Sequence, residues 1–142
     1  MTKKFSFLQK LAWFYTVMFV FVFIISHWPG LTDAHGKLLG LYKIDPIDDI
    51  FHLLSGVYAA IAAWHSAKWC KIFFLVMAFL YGVDAFLGLL FSTEFLNGNF
   101  ITKGLGAPNF SLENWYVNLP HIAITAVALW AAYGLKRSKQ TA

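Results

Sequence analysis

The chain has 142 residues, of which 59% are hydrophobic, 19% aromatic and only 13% charged, with a mean hydropathy of +0.61. A soluble domain carries about 25% charged residues, so this chain lacks the polar surface a water-soluble globule needs, and intrinsic disorder is excluded on the same grounds. One cysteine, Cys70, excludes an intramolecular disulfide framework and a cysteine-rich metal site, and the net charge of +4 has to be explained by topology.

A hydrocarbon core about 30 Å thick is crossed by roughly 20 mostly apolar helical residues. Four runs of that kind occur in chain order. The first predicted span runs from about Phe7 to Trp28 and stops at Pro29-Gly30, a pair that does not continue a helix. The second runs from about Asp49 to Ser66, the third from Trp69 to Phe91 and the fourth from Asn118 to Leu135. The second and fourth are near the short limit, which implies little tilt or local thinning of the bilayer. The expected fold is all-α, a transmembrane four-helix bundle forming a single domain over residues 1–142.

The basic residues predict the orientation. Lys3, Lys4 and Lys10 precede or open the first span, Lys68 and Lys71 lie at the turn between the second and third, and Lys136, Arg137 and Lys139 follow the fourth. With alternating spans all of these fall on one side, leaving Lys37, Lys43 and Lys103 on the other. The positive-inside rule then places both termini in the cytoplasm. Asp33, Asp45, Asp48, Asp49, Glu94 and Glu113 belong to the opposite side. The basic balance therefore reflects lipid headgroups and topology, and no nucleic-acid partner is expected. The basic start followed by an apolar run mimics a signal peptide, but the run is long for one, so a retained first span is expected. Cys70, at the cytoplasmic end of the third span, reads as a plain apolar residue, with palmitoylation as the alternative.

A repeat emerges when His52 is laid over His121. Asp49-Ile50-Phe51-His52-Leu53 then matches Asn118-Leu119-Pro120-His121-Ile122, and Ala59, Ala62, Ala63 and Trp64 match Ala128, Ala131, Ala132 and Tyr133. Leu39-Gly40 and Leu105-Gly106 take similar places upstream. Two related helical hairpins, turned about an axis along the membrane normal, would produce this pattern. The stretch from Leu39 to Leu53, with its Asp49-x-x-His52-Leu53 helix start, resembles a family of small bacterial four-span membrane proteins of unknown function. That family repeats an Asn/Asp-x-x-His-Leu helix start in its second and fourth spans. This chain departs from the pattern at Pro120 and Ile122. The resemblance covers most of the chain from about Leu39 to Leu135; it implies a fold and a bacterial inner-membrane location, but no activity.

The repeat places Asp49 and Asn118 as expected N-caps, three residues before His52 and His121. Below each histidine lies a face of small residues, with Ser55 and Ala59 on one side and Thr125 and Ala128 on the other, so both histidines should point into the bundle. Asp84 is the acidic residue deep in the third span, roughly 10 Å below its outer end, and should face inward with Tyr81 and Gly88. His27, near the outer end of the first span, is a candidate to join them.

Three readings compete for His52, His121, Asp84 and His27. The first is a structural polar lock that fixes helix register. The second is a metal site for zinc or copper, or ligation of haem or a chlorophyll-type pigment by His52 or His121. The third is a proton or small-solute pathway through Asp84. A pathway would need polar groups in the inner half of the bundle, where little stands beyond Thr16 and Ser66. His65 reads as interfacial and His35 as solvated. Trp28, Trp64, Trp69, Trp115 and Trp130, with Tyr133, read as interfacial anchors. The loop from Ser92 to Val117 is long for a simple connection and suggests a docking surface or a lid. No phosphate loop, nucleophile elbow or paired acid and base is present, which argues against an enzyme. The expected role is a noncatalytic structural or accessory component, in contact with the lipid bilayer and with other membrane protein subunits.

Overall fold

The computed structural model describes residues 4–135. Four helices long and apolar enough to cross a membrane make the chain an all-α, four-helix integral membrane protein. They are α1 (Phe7–Ser26), α2 (Pro46–His65), α3 (Ala67–Phe91) and α5 (Leu112–Leu129), the last continued by a π-turn over Trp130–Gly134. A two-stranded hairpin, β1 (Lys37–Leu38) and β2 (Tyr42–Lys43), lies between α1 and α2, and a short helix α4 (Asn99–Lys103) lies between α3 and α5. The basic cluster Lys136, Arg137 and Lys139, and Lys3 at the start, lie outside the described residues.

Local hydrogen bonding sets the helix ends. Ser6 opens α1 with a full capping box: its hydroxyl accepts from the Gln9 backbone N–H while the Gln9 side chain accepts from the Ser6 N–H. α1 ends at Ser26, before Pro29-Gly30, with His27 as its cap. The single residue Ser66 ends α2 and starts α3, its extended backbone turning the chain while its hydroxyl accepts from Trp69 N–H.

The expectation of helix starts at Asp49 and Asn118 is corrected. Asp45 caps α2 by accepting from Ile47 N–H, and Pro46 takes the first helical position, where its missing N–H costs nothing. Ser111 caps α5 by accepting from Asn114 N–H. Asp49 is thus inside the first turn of α2, and Asn118 is inside α5, which runs on through Pro120. The matched histidines accordingly lie at different distances from their helix starts, His52 in the second turn of α2 and His121 in the third turn of α5.

α1 packs mainly on α2, and α3 on α5; the two pairs meet chiefly along α2 and α3. Ala59, Ala62 and Ala63 of α2 and Ala128, Ala131 and Ala132 of α5 are buried, as expected of close-packing small faces. Between them sit the rings of Tyr15, Phe19, Phe73, Phe74 and Tyr81, with Tyr15 edge-on to both Phe73 and Phe74. Two polar side chains tie the helices toward the terminal end and the middle. Gln9 Nε2 donates to Ala63 O at 2.9 Å, and Tyr15 OH donates to Ile124 O at 2.9 Å, joining α1 to α5. Phe14, Val17, Phe21, Phe79 and Phe86 are exposed on the outside of the bundle, where lipid tails cover them at no hydrophobic cost.

Candidate functional site

The polar residues collect at the end of the bundle that carries the two long loops. Asp84 lies in the penultimate turns of α3 and is only 3% exposed. Its Oδ2 is 2.7 Å from His121 Nδ1, and its Oδ1 accepts from the backbone N–H groups of Phe95 and Leu96 at 2.7 and 2.9 Å. A buried carboxylate without partners is costly, and these three hydrogen bonds replace the water it has lost. They also fold the segment after α3 back onto the bundle, burying Leu96. Because the contact with the carboxylate is made through Nδ1, Nε2 is the ring nitrogen of His121 left for another partner, the arrangement found behind metal-binding and basic histidines.

His52 stands beside this pair. Its ring centroid is 6.0 Å from that of His121 and 6.1 Å from that of Tyr81, and Phe19 covers another side. Tyr81 is held by Ser55, with the two hydroxyls 3.1 Å apart. His52 Nδ1 is buried and makes no hydrogen bond. The structure thus brings His52, His121 and Asp84 together. His27 goes elsewhere: its Nδ1 is bonded to Phe23 O, and its Nε2 is 3.8 Å from Asp49 Oδ2, with most of the ring in the open. Among the described residues no group of three or more His, Cys, Asp and Glu side chains is set to hold a metal ion.

Two acids carry a role the sequence did not suggest. Asp48 and Asp49 belong to the first turn of α2, and each has one buried oxygen, Oδ1 of Asp48 and Oδ2 of Asp49, with no hydrogen-bond partner. Asp48 lies in the field of Asp84, His121, Glu94 and Asp45, whereas Asp49 turns toward Ser26 and His27 at the end of α1. Aspartates near a helix start are ordinary, since the helix dipole favours them there. Burial without a partner is not ordinary, and the only hint in the sequence was their position one turn above His52.

A cleft of about 850 Å³ opens between α1 and α5 over this group. Met18, Val22, Ile25, Ala123 and Val127 form its apolar walls, and Asp48, Asp49, His52, Asp84 and His121 its polar part. The bond from Tyr15 to Ile124 lies at its deep side, and the β1–β2 hairpin, with Lys37 and Lys43, lies at its rim. Lys37 Nζ pairs there with Glu113 at 3.3 Å. Volume, apolar walls and a few convergent polar groups are the attributes of a small-molecule site.

Asn114 is the other residue that sequence reasoning missed, and Asn118, expected as an N-cap, lies with it inside α5; both are buried against α3. Asn114 Nδ2 shares its hydrogens among the carbonyls of Gly88, Leu89 and Asn109, which supplies a donor to the C-terminal carbonyl of Leu89 and a second one to Gly88 O, already bonded by Ser92 N–H. Cys70 is fully buried among the core side chains, in keeping with an apolar role. No family model, no curated protein and no solved structure matches the chain.

Proposed function

We propose that this integral membrane protein is a noncatalytic binding component of the membrane, whose cleft between α1 and α5 receives a small amphiphilic molecule. The observation that carries the reading is the cleft of about 850 Å³, within the usual range of ligand sites at roughly 300–1,000 Å³, with apolar walls at lipid depth and polar groups at its loop end. An amphiphile matches both ends of such a cleft, and a wholly polar or wholly apolar solute matches one. On this reading both termini are cytoplasmic, because the basic residues of the N-terminus and of the Lys68–Lys71 turn gather at one end. The mouth of the cleft then faces the outer leaflet of a bacterial inner membrane. The preferential packing of α1 on α2 and of α3 on α5 supports a duplicated hairpin, and with it the affiliation to the four-span family with repeated histidines.

A second reading is ligation of a metal, haem or pigment by His121 and His52. It is favoured by the Asp84–His121 contact of 2.7 Å, which orients one ring and leaves Nε2 for a ligand. Protein extracted gently from native membranes separates the two in one preparation, by native mass spectrometry with an absorption spectrum. The amphiphile reading expects an organic adduct that disappears in Ala123→Trp, which fills the cleft, while the purified protein stays colourless. A coloured or metal-bearing protein that bleaches in His121→Ala establishes the second reading instead. A colourless protein with no adduct, held in a stable complex with another subunit, overturns both in favour of an accessory role.

A further inference from the structure

Among the charged groups that line the cleft, Asp84 is already engaged by His121 and two backbone N–H groups. Asp48 and Asp49 are not. Asp49 is 5% exposed, lines the cleft, and keeps Oδ2 without a hydrogen bond; Asp48 Oδ1 is buried and equally unpartnered. One turn further along α2, His52 Nδ1 is a third buried atom without a partner on the same cleft. All three are acceptors, the imidazole nitrogen in its unprotonated form, and all three are closed to solvent in this arrangement, so a ligand in the cleft reaches them by a rotation of the side chains. The cations nearby leave these acids incompletely paired: Lys37 is engaged by Glu113 at the rim, Lys43 lies on the β2 side of the same rim, and His27 approaches Asp49 Oδ2 to 3.8 Å from the exposed side, next to Ser26.

We propose that this part of the cleft binds a protonated primary amine carried on an apolar chain, with Asp48 and Asp49 as its acceptors. The proposal rests on the amphiphile reading above and names the head group. An ammonium brings three N–H donors and one positive charge to a region of unpartnered acceptors and excess carboxylate, so it satisfies the hydrogen bonding and the charge together. A hydroxyl head supplies donors without charge. A quaternary ammonium supplies charge without donors, and a carboxylate or sulfate head meets buried like charge. The apolar chain lies along Met18, Val22 and Val127, down to the Tyr15–Ile124 bond. The amine can belong to an ethanolamine lipid headgroup or to a free long-chain amine; the chemistry offered to Asp48 and Asp49 is the same.

The test uses the full chain in nanodiscs of phosphatidylglycerol and three photoreactive probes with one alkyl chain, ending in a primary amine, a trimethylammonium or a carboxylate. The amine probe is expected to label Met18, Val22 or Val127 at least about tenfold more than the other two, the ratio that follows from a charge-assisted hydrogen bond. Asp48→Asn and Asp49→Asn should each lower labelling by the amine probe and leave labelling by the other two unchanged. The comparison of probes on the unaltered chain needs no variant, so a misfolded Asn variant does not rescue the proposal. Equal labelling of the cleft by all three probes overturns the head-group assignment and leaves the amphiphile reading in place. No labelling of the cleft by any probe overturns both. In a second arm, phosphatidylethanolamine in the nanodisc competes with the amine probe if the lipid headgroup is the source, and fails to compete if a free amine is.

Discussion

Asp84 and His121, on two different transmembrane helices, meet at 2.7 Å through Oδ2 and Nδ1, while the other oxygen of the same carboxylate holds the backbone of Phe95 and Leu96. One side chain therefore joins α3, α5 and the loop between them. Asp84→Ala removes all three bonds at once and leaves His121 and two N–H groups without their partner, a loss of about 3–5 kcal/mol by comparison with other broken buried pairs. Asp84→Asn keeps an amide oxygen for the two N–H groups and should cost less. Unfolding in mixed micelles measures the loss, and limited proteolysis between Ser92 and Asn99 reports the loop, which should be cut fastest in Asp84→Ala. Equal cutting in all three proteins would show that Asp84 does not hold the loop.

The α3–α5 contact is set by Gly88. A Cβ at that position would collide with the side-chain oxygen of Asn118, which is buried and anchored on Asn114. Gly88→Ala should therefore destabilise by about 1–3 kcal/mol, as overpacking does in a tight core. Shortening the neighbour relieves the collision, so Gly88→Ala combined with Asn118→Ala should lose less than the sum of the two single variants. Additive losses in the double-mutant cycle would remove the contact as the cause.

Tyr15→Phe keeps the ring that packs on Phe73 and Phe74 and deletes only the hydroxyl that donates to Ile124 O. The expected loss is about 0.5–1.5 kcal/mol, the net value of one hydrogen bond. Because that bond ties α1 to α5, the distance between spin labels at Val17 and Val127 should broaden in the variant. An unchanged distance distribution with unchanged stability would mean that the hydroxyl does not hold the deep side of the cleft.

Orientation is checked by labelling with a membrane-impermeant maleimide in a Cys70→Ala background. Ala34→Cys, in the exposed loop before β1, should react in intact cells; Lys68→Cys, exposed at the start of α3, should react only after permeabilisation. The reverse pattern would invert the topology and turn the cleft toward the cytoplasm.

The four helices were legible in the sequence because a bilayer demands long apolar runs, and no tertiary contact is needed to recognise them. The inward aim of Asp84, His52 and His121 was legible for a related reason, since polar groups in a membrane helix face other protein. Helix starts were not. Glu113 and Asn114 read as loop by polarity and Asn118 as a cap, yet Ser111 caps α5 ahead of all three, and contact with α3 buries the two asparagines. The partners of Asp84 Oδ1 are backbone N–H groups, which carry no side-chain signature, so the return of the loop could come only from the folded chain. The burial of Asp49 without a hydrogen bond at Oδ2, and the cleft between α1 and α5, likewise depend on how two helix pairs dock. Hydropathy and charge are sums along the chain, and they determined that this protein crosses a membrane; a cavity is a gap between surfaces distant in sequence, and only tertiary packing decides where it opens.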